Sequence, residues 1–328
     1  MNYRKLGKTG WKVSEIGLGT WQVGGGWGKP FDPRRAEEIL HTAFDKGINF
    51  VDTADVYEGG LSEAAVGRAI RDRSEKIFVA TKCGRRIQPH THEGYTTERL
   101  RKYVEDSLKN MGLDQLDLIQ LHCPPGPVYE REEIFRLFED LKAEGKIAAM
   151  GVSVERINEG MTAMKYDIVS TVQIIFNLFR QRPAELFFNY AAANDIGLIV
   201  RVPLASGLLS GKITPETKFE KDDHRNFNRE GKAFDKGETF SGVPLEKAFP
   251  ALEELKTDFA KNLDLALQAI RWILMHKQVG TVIPGASCVD QVEKNISASG
   301  LPSLTPDQME SASKVYEKYI KSEVHQQW

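Results

Sequence analysis

The sequence predicts an α/β fold: a (β/α)8 TIM barrel with an N-terminal β-hairpin plug and a long loop after strand 7. Three observations carry this. Strand-like and helix-like segments alternate along most of the 328 residues. The strand segments are nearly continuous apolar runs, as in parallel strands covered on both faces. The length exceeds the roughly 250 residues such a barrel needs, which leaves room for an insertion but not for a second large domain. One domain over residues 1–328 is expected.

The elements follow in order. "MNYRKLGKTGWKVSEIG" holds two short extended pieces around "GKTG" and reads as a hairpin across the barrel bottom. Strands are predicted over 13–21, 49–54, 76–82, 116–122, 147–154, 172–177, 197–204 and 280–285. A helix over 33–47 follows from Ala36, Ile39, Leu40 and Phe44 sharing a face, with Gly47 as its stop. "LSEAAVGRAI" opens another at Leu61. A third over 97–112 has Thr97 as cap and Gly112 as stop. Others are predicted at 131–144, 155–164, 183–195, 262–276 and 304–321. The rival, an open doubly wound sheet, calls for G-x-G-x-x-G leading into a helix after its first strand. "GLGTWQVGGGWG" lacks that helix and reads as a loop. Residues 205–250 form the long insertion, and Phe219, Phe227, Phe234 and Phe240 give it material for partial order.

The balance of charge points away from two classes of partner. Net charge is −2 with a pI near 6.4, so no basic excess suggests nucleic acid. No apolar run approaches the roughly 18 residues of a membrane helix, and no membrane insertion is expected. The N-terminus has no apolar signal region. Cys83, Cys123 and Cys288 are scattered and odd in number, which suits a reducing, cytoplasmic setting better than a disulfide framework.

Chemistry in such barrels collects at the C-terminal ends of strands. The second strand ends near Asp52, with Tyr57 close behind; the third ends in Lys82 and the fourth in His122. Each alone has a plain structural use: a turn cap, a rim residue, a solvated strand end, a satisfied core histidine. Together at one face they point to proton donation. A free phenol has a pKa near 10. A neighbouring ammonium favours phenolate and eases release of the proton. A buried Lys82 needs a counter-ion, and Asp52 fits. His122 can hydrogen-bond a carbonyl oxygen beside Tyr57. Such a set protonates the alkoxide that develops when hydride attacks a carbonyl. His90 and His92 lie on a loop with no third ligand at useful spacing, so no metal site is expected. Cys83 directly follows Lys82 and should point to the opposite face of its strand.

"GLGTW", "NFVDTADVYEGGLSE", "VATK", "LDLIQLH", "GVSV", "PLASGLLSGK" and "VIPGAS…QVEKN" occur in this order. Together they resemble the aldo-keto reductase superfamily over nearly the whole chain, in its bacterial, plant and potassium-channel β-subunit-like branch. The resemblance implies NADPH-dependent reduction of aldehyde or ketone carbonyls, reversible towards alcohols or sugars, with Tyr57 as general acid in a tetrad of Asp52, Tyr57, Lys82 and His122. It implies NADP, with NAD as the less common option, bound across the barrel mouth. Thr20, Trp21 and Asp52 would meet the nicotinamide end, and Ser153 and Gln173 the carboxamide. Pro203, Leu204, Ser206, Gly207, Leu209, Ser210 and Lys212 would surround the pyrophosphate. Gly285, Ser287, Gln291 and Asn295 would meet the adenosine part, next to a helix N-terminus suited to phosphate.

Three departures from the family pattern stand out. Ser153 is followed by Val154 rather than asparagine. Arg201 replaces the usual aromatic ring against the nicotinamide, where a guanidinium can stack and disfavour the oxidised ring; a surface salt bridge is the other use for it. Ser287 replaces an arginine that would hold the 2′-phosphate. A substrate pocket is expected from Trp21, Trp27, Tyr57, Arg85 and His122. Arg85 and Arg86 could receive an anionic substrate or serve as solvated loop charges. The alternative function is a cofactor-binding, channel-subunit-like protein with little turnover. The tail to Trp328 could cover the mouth or meet a neighbouring subunit.

Overall fold

The computed structural model describes residues 1–25 and 30–328; Trp27, expected in the substrate pocket, lies outside the described residues. The chain opens with an antiparallel hairpin, β1 (Tyr3–Lys5) and β2 (Lys12–Ser14). Eight parallel strands follow: β3 (Leu18–Gly19), β4 (Phe50–Asp52), β5 (Phe78–Cys83), β6 (Leu116–His122), β7 (Ile147–Ser153), β8 (Val169–Ile175), β9 (Gly197–Arg201) and β10 (Val279–Val282). Parallel bridges from Ile16 to Val282 and from Gly19 to Gly285 join the two edges and close the barrel.

The first predicted strand, 13–21, is in fact two pieces. Residues 12–14 pair within the hairpin, and only Leu18–Gly19 run in the barrel. The chain between them must cross from the plug to the wall, so one apolar run serves two sheets. The last strand is shorter than 280–285, ending at Val282 just before Ile283 and Pro284.

Helices cover the outside. α1 (Pro33–Asp45) begins where the Asp32 carboxylate accepts from the Arg34 and Arg35 amides. α2 (Leu61–Arg71) follows β4, and α3 (Thr97–Met111) follows β5. The cap of α3 is Thr96 rather than Thr97, its hydroxyl accepting from the Arg99 amide, and Gly112 ends it in a left-handed turn. Next come α4 (Glu132–Ala143), α5 (Ile157–Ala163) and α6 (Phe187–Ala193). α6 starts later than 183 because Pro183 belongs to a separate 3₁₀ turn. The stretch after β9 contains α7 (His224–Phe227) and ends in α8 (Leu245–Glu254), so the insertion proper stops near residue 244. α9 (Leu265–Leu274), α10 (Val289–Ser297), α11 (Pro306–Val315) and α12 (Lys321–Val324) complete the chain. Among the described residues no helix is long and apolar enough to cross a membrane.

Side chains alternate along a strand, so period two sorts the core into two layers. Val51, Val79, Cys83, Ile119, Leu121 and Val152 pack outward against the helices. Cys83 thus does face away from Lys82. Phe50, Ala80, Leu118, Ala149 and Ile199 point inward and meet Leu6 and Val13 of the hairpin, with Trp11 packed against them. The hairpin is therefore a plug at the N-terminal end. Two residues further along the same inward rows stand Asp52, Lys82, Gln120 and Arg201, and His122 is two further still. The pleat that builds an apolar floor also lifts polar groups into a second storey above it.

Candidate active site

Strand register brings the second storey together: Asp52 lies opposite Ala80, Lys82 opposite Gln120, and His122 opposite Ser153. Lys82 is fully buried and ion-paired with the Oδ1 of buried Asp52. Its Nζ also donates to the Thr53 carbonyl at 2.9 Å and to the Tyr57 hydroxyl at 3.3 Å. The other carboxylate oxygen of Asp52 accepts from Gln120 Nε2 at 3.1 Å and Gln173 Nε2 at 2.7 Å. The carboxylate is thus satisfied on both sides, as a buried anion must be.

Tyr57 reaches this group because the chain turns sharply after β4. Glu58, Gly59 and Gly60 all adopt positive φ, and at Gly60 (φ +93°) any side chain would strain the backbone. The phenol ring lies edge-on to the His122 imidazole, centroids 6.0 Å apart at 82°. The four residues of the expected tetrad are therefore linked in one cluster, Asp52 to Lys82 to Tyr57 to His122.

Electrostatics here differ from the simple expectation for Tyr57. Burial pushes its phenol above its ordinary value, and the opposing Lys82 charge does not overcome this. The hydroxyl stays protonated, poised to donate. Burial works to lower Lys82, but Asp52 and Tyr57 outweigh it and the net shift is upward. His122 is driven well below its ordinary value by burial, then by Arg85 and Lys82, so its imidazole is neutral.

Above the tetrad two arginines and two carboxyls form a ring in which burial pushes Glu155 up to about 8, whereas for Glu238 burial is outweighed by Arg85 and Arg201, which hold it well below its ordinary value. Arg85 donates to both oxygens of Glu238, Nη2 to Oε1 at 2.5 Å and Nη1 to Oε2 at 3.3 Å. Arg201 Nη1 is 3.8 Å from Glu238 Oε2, and its Nη2 is 2.9 Å from Glu155 Oε2. Glu155 Oε1 closes the ring to Arg85 Nη2 at 3.4 Å. Arg201 also donates to the Val154 carbonyl at 3.1 Å. It is a buried ion-pair member rather than a surface one. Cys123, Glu155 and Glu238 come close enough to suggest a metal site. Arg201 Nη2, 3.5 Å from the Cys123 sulfur, places a cation among them already.

The expected cofactor residues fall into three groups. Thr20, Ser153 and Gln173 lie at the strand ends: Thr20 Oγ1 donates to the Asp52 carbonyl at 3.1 Å, and Ser153 is fully buried beside Cys123. Pro203 and Leu204 lead into the turn Ala205–Ser210, where Ser206 Oγ donates to the Glu238 carbonyl at 2.9 Å and Ser210 Oγ to the Gly207 carbonyl at 2.6 Å. Leu209 is buried in the outer core and Lys212 is exposed. At the third site, Gln291 Oε1 accepts from the Ser287 amide at 2.8 Å, and Asn295 Nδ2 donates to the Gly285 carbonyl at 3.3 Å. Cys288 precedes α10 without a side-chain cap, so the first-turn amides can face an anion. Hydroxyls, backbone amides and an uncapped helix end fit the oxygens of a dinucleotide. Lys294 of α10 is ion-paired with Asp264.

The long loop folds back as a lid. His224 meets Trp21 edge-on at 4.7 Å, and Ser241 Oγ accepts from Asn177 Nδ2 at 2.8 Å. The tail packs on this loop: the Trp328 ring lies 3.9 Å from the Arg180 guanidinium, and its indole N–H donates to Asp235 of the lid at 2.9 Å. Arg86 instead pairs with Asp106 of α3 at 3.3 Å. Sequence reasoning missed Gln120, Glu155 and Glu238. Gln120 was legible, being in phase with His122 two residues on. Glu155 and Glu238 lie in loops where no period operates.

Comparison with known proteins then gives a consistent answer. The profile of the Aldo/keto reductase family matches residues 15–317. Aldo-keto reductase YhdN of Bacillus subtilis (strain 168) is 33% identical over 317 residues, covering 94% of this chain and 92% of that one. The probable voltage-gated potassium channel subunit beta of Oryza sativa subsp. japonica is 28% identical, covering 98% of both. The holo form of aldo-keto reductase AKR11C1 from Bacillus halodurans superposes with a TM-score of 0.77 at 29% identity, covering 96% of each chain.

Proposed function

The chain belongs to the aldo/keto reductase family, and from that membership we propose that it is an NADPH-dependent oxidoreductase that reduces aldehyde or ketone carbonyls to alcohols. The observation that carries the reading is the Lys82 ammonium shared between Asp52 and the Tyr57 hydroxyl. Reduced nicotinamide, when bound, supplies the hydride. Tyr57 gives its proton to the carbonyl oxygen as negative charge develops there. The phenolate left behind is stabilised by Lys82, which is why a phenol with a raised pKa can still act: the ammonium stabilises the product state of the transfer. Asp52, steadied by Gln120 and Gln173, keeps Lys82 charged. Neutral His122 orients the carbonyl oxygen through an N–H without competing as an acid. The lid excludes water. The choice of NADPH rests on Lys212 as a cation for the 2′-phosphate, with the Ser287 hydroxyl as a weaker donor than the arginine it replaces.

The test is consumption of NADPH, then NADH, with 4-nitrobenzaldehyde, using Tyr57→Phe as control. Turnover abolished by the substitution, with a lower KM for NADPH, is the expected result. Tight cofactor binding without turnover across a broad carbonyl panel would instead favour a cofactor-binding, channel-subunit-like role with little turnover.

A further inference from the structure

The charged ring above the tetrad has unequal members. Arg85 stands in the loop after β5, Glu155 in the loop after β7, and Arg201 ends β9; all three are carried by the barrel. Glu238 alone comes from the lid. Without it, Arg85 and Arg201 share one carboxylate, Glu155, which lies 3.4 Å from the first and 2.9 Å from the second. Two largely buried guanidiniums with one counter-ion call for another anion.

The geometry says which kind. Glu238 is held by Arg85 through both oxygens, the fork-on-fork pairing that suits a planar carboxylate. Its position relative to the chemistry also matters. Arg201, which flanks Arg85 across Glu155 and Glu238, lies 3.5 Å from the sulfur of Cys123, the residue after His122, and Arg85 adds to the burial that keeps the His122 imidazole neutral. A carboxylate seated on Arg85 would therefore lie beside the groups that handle a carbonyl oxygen. The Phe234 ring of the lid, 5.8 Å from the Arg85 guanidinium, gives the same place an apolar wall.

We infer that Arg85, flanked by Arg201, is a subsite for a substrate carboxylate, that Glu238 occupies it in the substrate's stead, and that the preferred substrates are aldehydes or ketones bearing a carboxylate. This rests on the carbonyl-reductase reading above and narrows its substrate class. Binding then exchanges one carboxylate for another, and the lid shifts Glu238 outward to admit the substrate.

The experiment compares 4-carboxybenzaldehyde with 4-nitrobenzaldehyde, which differ in charge but little in size. The readout is the ratio of their kcat/KM values in wild type, Arg85→Leu, Arg85→Lys and Glu238→Gln, each checked for folding by circular dichroism. The ratio is expected to fall about tenfold or more in Arg85→Leu, less in Arg85→Lys, and to rise a few-fold in Glu238→Gln, where the internal competitor is weakened. A merely structural ion pair would change both substrates alike, and an unmoved ratio in Arg85→Leu and Glu238→Gln overturns the inference. Failure of both aldehydes to turn over would refute the reductase reading instead. Calorimetric binding of 4-carboxybenzaldehyde then decides the subsite alone: about tenfold weaker binding to Arg85→Leu upholds it, and equal binding overturns it.

Discussion

Lys82 holds the Tyr57 hydroxyl at 3.3 Å with the same ammonium that neutralises Asp52. One cation thus serves a structural anion and a proton donor at once, and the two uses can be separated experimentally.

Tyr57→Phe removes the donor and leaves the Lys82–Asp52 pair intact. Carbonyl reduction should fall by about 10²–10⁴-fold, the usual contribution of general acid catalysis. Cofactor binding, followed by fluorescence, should stay within a factor of about two, because the phenyl ring keeps its packing.

Lys82→Met should damage the fold as well as the activity. It leaves Asp52 buried with amide donors but no cation, a change that typically costs about 3–5 kcal/mol. Urea denaturation should show the loss, and adding Asp52→Asn should restore a good part of it.

Asp55 gives a pH-dependent prediction. It is buried, and neither carboxyl oxygen has a hydrogen-bond partner among the described residues. Burial, then the nearby Glu63 charge, pushes its pKa up to about 7. In the unfolded chain it ionises near 4. Between those values the folded state binds more protons, so stability declines as pH rises from about 4 through about 7. Asp55→Asn should remove that decline. The variant should gain on wild type across this window, by up to roughly 4 kcal/mol at pH 8, and the gap should close near pH 4.

Gly242→Ala should loosen the lid. Gly242 has φ +76°, and a Cβ there would strike the Trp328 ring. Limited trypsin digestion should cut within residues 221–236 sooner than in wild type, while thermal unfolding of the barrel changes little.

The sequence made the barrel legible because its signals are periodic. Apolar runs marked the parallel strands, and counting by twos from Phe50 and Leu118 leads to Asp52 and His122. The hairpin junction was not legible, since Val13 to Trp21 is one unbroken strand-like run serving two sheets. The ring at the mouth was hidden for a different reason. Arg85 and Glu238 are 153 positions apart, and their pairing depends on how a loop without repeat folds back. Arg201 stood out by its position at a strand end, but its partner Glu155 did not. The raised pKa of Tyr57 was equally out of reach, because desolvation is a property of the packed cavity and not of neighbours along the chain.

That three ring members are fixed to the barrel while Glu238 rides on the insertion makes the mouth modular. Exchanging residues 213–244 for another sequence would rewrite which functional groups greet a visitor, yet leave Asp52, Tyr57, Lys82 and His122 where they stand. Selectivity could then diverge among descendants of one scaffold through a single cassette, with the proton-delivery machinery inherited unaltered.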